Sequence, residues 1–283
     1  MSMKNRHVLG EAVRHLILII LALYTLAPLL FLFVNAFKSN NEIIASPVAL
    51  PEHWTLQYIK TAMEAINFGK ALGLTFIITF FSILLLVIVS SFAAWAMVRS
   101  KTILSNIVFL CFTAAMLVPF QSLMYPLLSV FEKMGLKNVQ GLILMYGGFG
   151  LSMSVFLYHG FIKSVPASLE EAAVLDGANL FQMFFKVVFP LLKGTTVTVI
   201  VLNGMWIWND YLLPFLVIGN KTGSKTLTLE LYFAKLTSGQ YGNPWELIFP
   251  AVFVTIIPII ILYIFLQKYI VAGVSEGAVK MQT

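Results

Sequence analysis

The chain has 283 residues, of which 59% are hydrophobic and 11% charged, with a formal charge of +6 and a mean hydropathy of +0.91. A soluble domain carries roughly 25% charged residues, and the charges here are segregated between long stretches with almost none, so the composition excludes an ordinary soluble domain and reads as an integral membrane protein. The basic balance is no nucleic-acid signal either, because the Lys and Arg residues flank apolar runs, where they set topology.

Lys4, Arg6 and Arg14 precede the first apolar run, 16–37. That run is too long for a signal-peptide core and no small-x-small cleavage site follows, so it reads as an uncleaved first transmembrane helix. A helix needs about 20 residues to cross the hydrocarbon core. Six segments qualify: 16–37, 72–97, 103–127, 139–162, 194–217 and 247–267. The second and third are joined by a very short link with Arg99 and Lys101, whereas 38–70 and 219–246 are longer and more polar. No repeats or low-complexity tracts occur, and 1–283 reads as a single transmembrane domain of all-α class. Cys111 lies inside an apolar span and can form no internal disulfide. His7, His15, His53 and His159 are too scattered for a metal motif and read as interfacial or solvated.

Six spans place both termini on one side. With the termini inside, ten of the 18 basic residues are cytoplasmic, and the local bias is clearer, with Arg99 and Lys101 in a tiny loop and Arg14 and Lys268 at span ends. The same orientation puts the polar segment 166–190 inside. Within it, Ser168-Leu169-Glu170-Glu171 fits a capping box with Ser168 as N-cap and Glu171 at N3. Leu169, Ala172 and Ala173 fall on one helical stripe, and Gly177 suits a left-handed helix stop. The expectation is a short helix lying on the membrane surface with a small alanine face.

Glu171-Ala172-Ala173, three residues, Gly177, nine residues, then Val187, Val188, Phe189 and Pro190 closely resembles the EAA loop of ABC importer permeases, E-A-A-x3-G-x9-I-x-L-P. Val187 and Phe189 replace the usual Ile and Leu. Glu170 through Gly177-Ala178, Trp208-Asn209-Asp210, the loop Pro51 to Tyr58 and the tail Gly273 to Lys280 are similar to the carbohydrate branch, in its second, smaller six-span permease. The resemblance implies the type I ABC importer permease fold: six transmembrane helices with a cytoplasmic coupling helix in a bacterial cytoplasmic membrane. It implies that Glu170, Glu171, Ala172, Ala173, Asp176 and Gly177 couple to an ATPase. Implied partners are a second, different permease, two cytoplasmic ATPase subunits that bind ATP and Mg, and an extracytoplasmic sugar-binding protein. No cofactor is implied on this chain, and no metal.

Polar side chains in lipid are costly and usually face a bundle interior or an aqueous path. Asn203, Trp206 and Asp210 are spaced i, i+3, i+7 on one face of the fifth span, a set of amide, indole and carboxylate that suits sugar hydroxyls and C–H faces. The same residues also suit interfacial placement and a bond to a neighbouring helix. Pro119 kinks the third span, and Gln121 and Tyr125 beyond it either line a cavity or satisfy freed carbonyls. Gly148 with Ser152 and Gly150 with Ser154 are small-x3-small pairs that read as helix packing.

Gly219 to Thr226 is no phosphate loop, because three residues separate its glycines and Ser224 precedes Lys225. No catalytic motif occurs, so the chain reads as a non-enzymatic subunit. Glycerol-3-phosphate or another polyol is the alternative substrate, although no span interior holds an arginine for a phosphate. A secondary transporter would show paired broken helices and intramembrane carboxylates in matching halves, and the sequence shows neither.

Overall fold

The computed structural model describes residues 3–219, 223, 225–238 and 243–279. Every regular element among them is helical. Contacts divide the chain into two compact units, Met1–Gly69 with Glu230–Ile257, and Lys70–Leu229 with Pro258–Thr283.

The first unit holds α1 (Met3–Asn35), α2 (Asn40–Ala45), α3 (Gln57–Ala65), most of α13 (Leu227–Ser238) and the start of α14 (Trp245–Val279). Its core is small: Ala62, Ile66, Ala251 and Val254. Phe33, Phe37, Trp54 and Phe253 cluster beside it with ring centroids 5.1 to 6.3 Å apart. Helix α2 opens on a capping box: Glu42 Oε2 accepts the Ser39 N–H at 2.8 Å, and Ser39 Oγ accepts the Glu42 N–H at 3.3 Å. Glu42 Oε1 also accepts the Glu52 N–H at 3.0 Å. The Ser39 and Glu52 amides hold this carboxyl below the usual glutamate range, because they bond best to its ionised form.

The second unit is built on α4 (Phe68–Ser100), α5 (Ile103–Ala115), α6 (Phe120–Lys133), α7 (Val139–Ile162), α8 (Ser168–Leu175), α9 (Leu180–Met183), a π-helical turn (Phe184–Val188), α10 (Phe189–Leu191), α11 (Lys193–Asn209) and α12 (Leu212–Val217). Helix α7 packs against α5, α11 and α12. One core joins Ile78 and Leu86 of α4 to Tyr146 of α7 and Leu213 of α12. A second joins Trp95 to Tyr158, Phe184, Leu192 and Val199.

Among the described residues four helices are long and apolar enough to span a membrane, and up to six spans arise if each bent pair counts as one. The bent pairs depart from the expected spans, of which only the third was expected to kink. In the third span α5 and α6 meet at 106°. Pro119 donates no N–H and pushes the residue before it out of the helix. Met116, Leu117 and Val118 therefore bond back to Thr113, Ala114 and Ala115 in a tightened turn, and the expected kink becomes a corner. The fifth span is interrupted between α11 and α12, where Asp210 is extended at φ −74° and ψ 131°. The segment Leu180–Leu191 meets α11 at 77° and is a helical arm of its own. The segments 38–70 and 219–246 also hold helices not read from the sequence: α2, α3 and α13. Parts of 219–246 and the tail end, 220–222, 224, 239–242 and 280–283, lie outside the described residues, as does most of the loop from Gly219 to Ser224.

Candidate functional site

After α7 ends at Ile162, Pro166 and Ala167 turn the chain into α8. The expected capping box at Ser168 and Glu171 does not form. Ala167 already has helical angles, φ −64° and ψ −25°, and α8 has no side-chain cap. Ser168 thus sits inside the first turn, and the early N–H groups go to backbone carbonyls, Glu170 and Glu171 both bonding to Ala167 at 2.9 and 3.0 Å. A capping box forms instead at the next helix start, where Asn179 and Gln182 exchange bonds of 2.9 Å.

This shift by one residue decides which carboxylate faces inward. Glu170 and Ala173 are each 8% exposed, one turn apart on the buried face. Leu169, Glu171, Ala172, Val174, Leu175, Asp176 and Gly177 are exposed, so the expected stripe of Leu169, Ala172 and Ala173 is split. Glu170 Oε2 accepts the Trp95 indole N–H at 3.0 Å, and Oε1 accepts Arg99 Nε at 2.8 Å. Arg99 Nη2 lies 2.7 Å from the same Oε1 and also donates to the Val165 carbonyl at 3.0 Å. Glu170 therefore ties α8 to the end of α4 in its own chain, while Glu171 faces away. Trp95 and Arg99 were not read as its partners from the sequence; their i, i+4 spacing at the end of α4, which puts both on one face, was the available signal.

Gly177 closes α8 at φ +81°. Its N–H bonds to Val174 at 3.0 Å and that of Ala178 to Ala173 at 2.9 Å, the paired bonds of a Schellman motif. In the following arm, Pro190 would clash with the Lys186 carbonyl in a regular helix. The π-helical turn just before it absorbs the conflict, with the Phe189 N–H reaching Phe184.

The polar stripe of the fifth span does not act as one surface. Asn203 is 4% exposed and donates to Ser154 Oγ on α7 at 3.1 Å and to the Val199 carbonyl at 2.9 Å. A Cβ on Gly150 would lie 2.5 Å from Asn203 Oδ1 and 2.7 Å from Leu86 Cδ1, so the Gly150 and Ser154 pair brings α7 close to α11 and α4. Asp210 leaves the helix. Its carboxylate accepts Tyr146 Oη at 2.9 Å and the N–H groups of Leu212 at 2.9 Å and Leu213 at 3.4 Å. Asp210, the residue before the N-cap Tyr211, thus satisfies the first two free N–H groups of α12, whose first turn also holds Pro214 with no N–H to satisfy. Asp210 followed by Pro214 was the sequence signal for this helix start.

Trp206 is 41% exposed and meets Tyr146 edge-on at 5.4 Å. With Asn203 it lines a cavity of about 570 Å³ whose other walls come from Phe120 and Leu127 of α6 and Gly148 and Ser152 of α7. Gly148 and Ser152 thus face the cavity; Gly150 borders it too, but is packed against Asn203 and Leu86. Gln121 and Tyr125 are exposed on α6 and lie off this wall. The cavity is apolar, with a small number of polar groups and one aromatic face, and can hold a small neutral polar ligand by ring contact and a few hydrogen bonds. Among the described residues no group of three or more His, Cys, Asp or Glu side chains is placed to hold a metal ion.

Residues 87–276 match the family described as "Binding-protein-dependent transport system inner membrane component", and the chain belongs to that family. It is 43% identical over 93% of its length, and 94% of the relative's, to a "Probable starch degradation products transport system permease protein" of Thermoanaerobacterium thermosulfurigenes. It is 34% identical over 98% of its length, and all of the relative's, to a "Multiple sugar-binding transport system permease protein" of Streptococcus mutans. It is 33% identical over 89% of its length, and 91% of the relative's, to a "Melibiose/raffinose/stachyose import permease protein" of Bacillus subtilis. In fold it is similar to a chain of a bacterial ABC transporter involved in the import of the acidic polysaccharide alginate, with a TM-score of 0.80 and 23% identity over 95% of this chain and 98% of that one. The protein is an inner membrane component of a transport system and works alongside other transporter subunits.

Proposed function

We propose that this chain is one of two different permease subunits of an ATP-driven importer that carries a sugar or oligosaccharide across the bacterial cytoplasmic membrane. The observation that carries this reading is family membership together with relatives whose names are those of carbohydrate transport permeases. The exposed face of α8, with Glu171, Ala172 and Asp176 beside Leu169, Val174 and Leu175, is the docking surface for a cytoplasmic ATPase. Glu170, Ala173 and Gly177 hold that surface in place. Two ATPase subunits carry ATP and Mg and perform hydrolysis; this chain has no catalytic role and no cofactor of its own. An extracytoplasmic binding protein delivers the sugar, and both termini are cytoplasmic. Trp206 is this chain's contribution to the translocation path, with Asn203 behind it. Gln121, Tyr125 and Asp210 fit that role less well, the first two by position and the third because its carboxylate is engaged by Tyr146 and α12.

The test is reconstitution with the cognate second permease, ATPases and binding protein in vesicles. Uptake of an oligosaccharide should require all components, and the purified chain alone should hydrolyse no ATP. In a Cys111→Ala background, Ser46→Cys should react with an impermeant thiol reagent from outside, and Ser168→Cys only after the membrane is opened. The reverse labelling pattern, or robust ATPase activity of the isolated chain, contradicts the reading.

A further inference from the structure

Where α4 ends, α5 begins and α7 ends, the second unit has a pocket of about 560 Å³ that the coupling reading does not use. Arg99, Lys101, His159 and Lys163 line it, with Asn106 and the backbone turn at Pro166, and no acidic side chain does. Glu170 lies just behind and is matched by Arg99. The charges of Lys101 and Lys163 therefore remain uncompensated by any carboxylate on the pocket wall. His159 is 6% exposed, its ring stacked on Phe109 at 3.6 Å between centroids, and it makes no side-chain hydrogen bond among the described residues. Lys163 Nζ stands 5.9 Å from the same Phe109 ring. A fixed imidazole, an amide and two ammonium groups around one concavity are the donors a phosphate group accepts from.

The flank of the pocket narrows the ligand further. Ile103, Leu104 and Ile107 of α5, the helix that supplies Asn106, are 81%, 69% and 52% exposed. Basic groups at the level where the spans end, with exposed aliphatic side chains running from there along α5, match an amphiphile whose head is anionic. Free phosphate would use only the first half of that surface. Basic pockets between membrane helices on the cytoplasmic side are suited to anionic lipid headgroups.

We infer that this pocket binds the phosphate of an anionic phospholipid, with its acyl chain along α5. The inference rests on the inside placement of this end of the bundle but not on the transported substrate. The Lys101→Asn/Lys163→Gln double variant tests it, Asn suiting the positive φ of 49° at position 101. Lys133→Gln/Lys137→Gln, on the opposite side, removes the same charge elsewhere. The assembled transporter, with and without its ATPases, is exchanged into phosphatidylglycerol or phosphatidylcholine, and retained lipid is counted by native mass spectrometry. Each Lys near an anionic surface contributes about fivefold in affinity, so the double variant should retain phosphatidylglycerol roughly thirty-fold more weakly. The opposite-side control should match wild type, phosphatidylcholine should not substitute, and inorganic phosphate should not displace the lipid. Equal retention by wild type and double variant overturns the inference, as does equal retention of phosphatidylcholine. Displacement by inorganic phosphate would make this a free-phosphate site, and loss of the lipid whenever the ATPases are bound would make it a protein contact; either overturns the lipid assignment. Sugar uptake is not part of the readout, so a transporter with another substrate leaves the result unchanged, and a reversed orientation would appear in the cysteine labelling instead.

Discussion

If Glu170 anchors α8 to α4, breaking the anchor should loosen α8 without touching its exposed face. The Arg99 side chain is 23% exposed and that of Glu170 is 10% exposed. Removing one member of a buried ion pair costs about 3–5 kcal/mol, and the partial exposure of Arg99 places Glu170→Leu near 3 kcal/mol, since water can reach the abandoned guanidinium. Ala173, 8% exposed on the same buried face, is the reporter. In a Cys111→Ala background, Ala173→Cys is protected from thiol reagents except when α8 opens. A loss of about 3 kcal/mol of docking raises its modification rate roughly a hundredfold, at about 1.4 kcal/mol per decade. Arg99→Met should act at least as strongly, because it leaves the more buried carboxylate behind. The combined Glu170→Leu/Arg99→Met variant should recover most of the protection, because neither charge is orphaned. What remains is the Trp95 indole without its acceptor, worth about 1 kcal/mol, or roughly fivefold, while the Val165 carbonyl that loses Arg99 borders an open pocket and can bond to water. Glu171→Lys, on the exposed face, should leave the reporter thiol protected while abolishing uptake. Rates that stay within about threefold of the parent in both single variants, or a double variant as reactive as the worse single one, refute the anchor.

At the end of α8, a Cβ on Gly177 meets nothing within 4 Å, so its substitution tests backbone conformation alone. Gly177→Val should cost about 1–2 kcal/mol from the left-handed backbone and impair uptake, with Gly177→Asn the milder change, both read in reconstituted vesicles. Gly150→Ala should reduce thermal stability of the assembled transporter, because the added methyl meets Asn203 and Leu86, while Gly148→Ala, with nothing within 4 Å, should not. The lowered position of Glu42 means that its contribution is present above the usual carboxylate range and is lost as pH falls through its folded value. Acid should therefore loosen the 39–52 loop, seen as faster hydrogen exchange, and Glu42→Gln should loosen it already at neutral pH and remove that dependence.

The long apolar runs were legible because burial in lipid leaves a signal that needs no tertiary partner. The fourth span matched its helix, Val139–Ile162, end for end. Gly177 was legible for a similar reason, since a left-handed helix stop is a local requirement of the chain. The corner at Met116 to Pro119 was only half legible. Pro119 announces a break, but apolar residues on both sides give no measure of its angle. Asp210 was read with Asn203 and Trp206 as one helical stripe, whereas it ends one helix and begins another, a break that an apolar run on both sides does not announce. Glu170 and Glu171 were indistinguishable because each residue turns a helix by about 100°, and whether Ser168 or Ala167 opens α8 depends on the turn at Pro166 and on Arg99, 71 positions away.

The two adjacent glutamates show how a surface helix can be both held and available. Glu170 points to Trp95 and Arg99, and its neighbour points away, so charge on the exposed face is separated from charge that fixes the helix. The arm that follows returns to the same place: Phe184 lies 4.3 Å from Phe92 and 5.2 Å from Trp95 between ring centroids and is fully buried. Phe92, Trp95 and Arg99 belong to the last turns of α4. A displacement of α8 therefore reaches α4 by two physically different routes, an ion pair in α8 itself and an aromatic contact in the arm that follows it. The ion pair is directional and weakens once its geometry is lost, whereas the aromatic contact tolerates sliding. Rotation of α8 about its own axis would strain the first and spare the second. Translation toward or away from the membrane would load both, so the end of α4 is where such a motion enters the membrane helices.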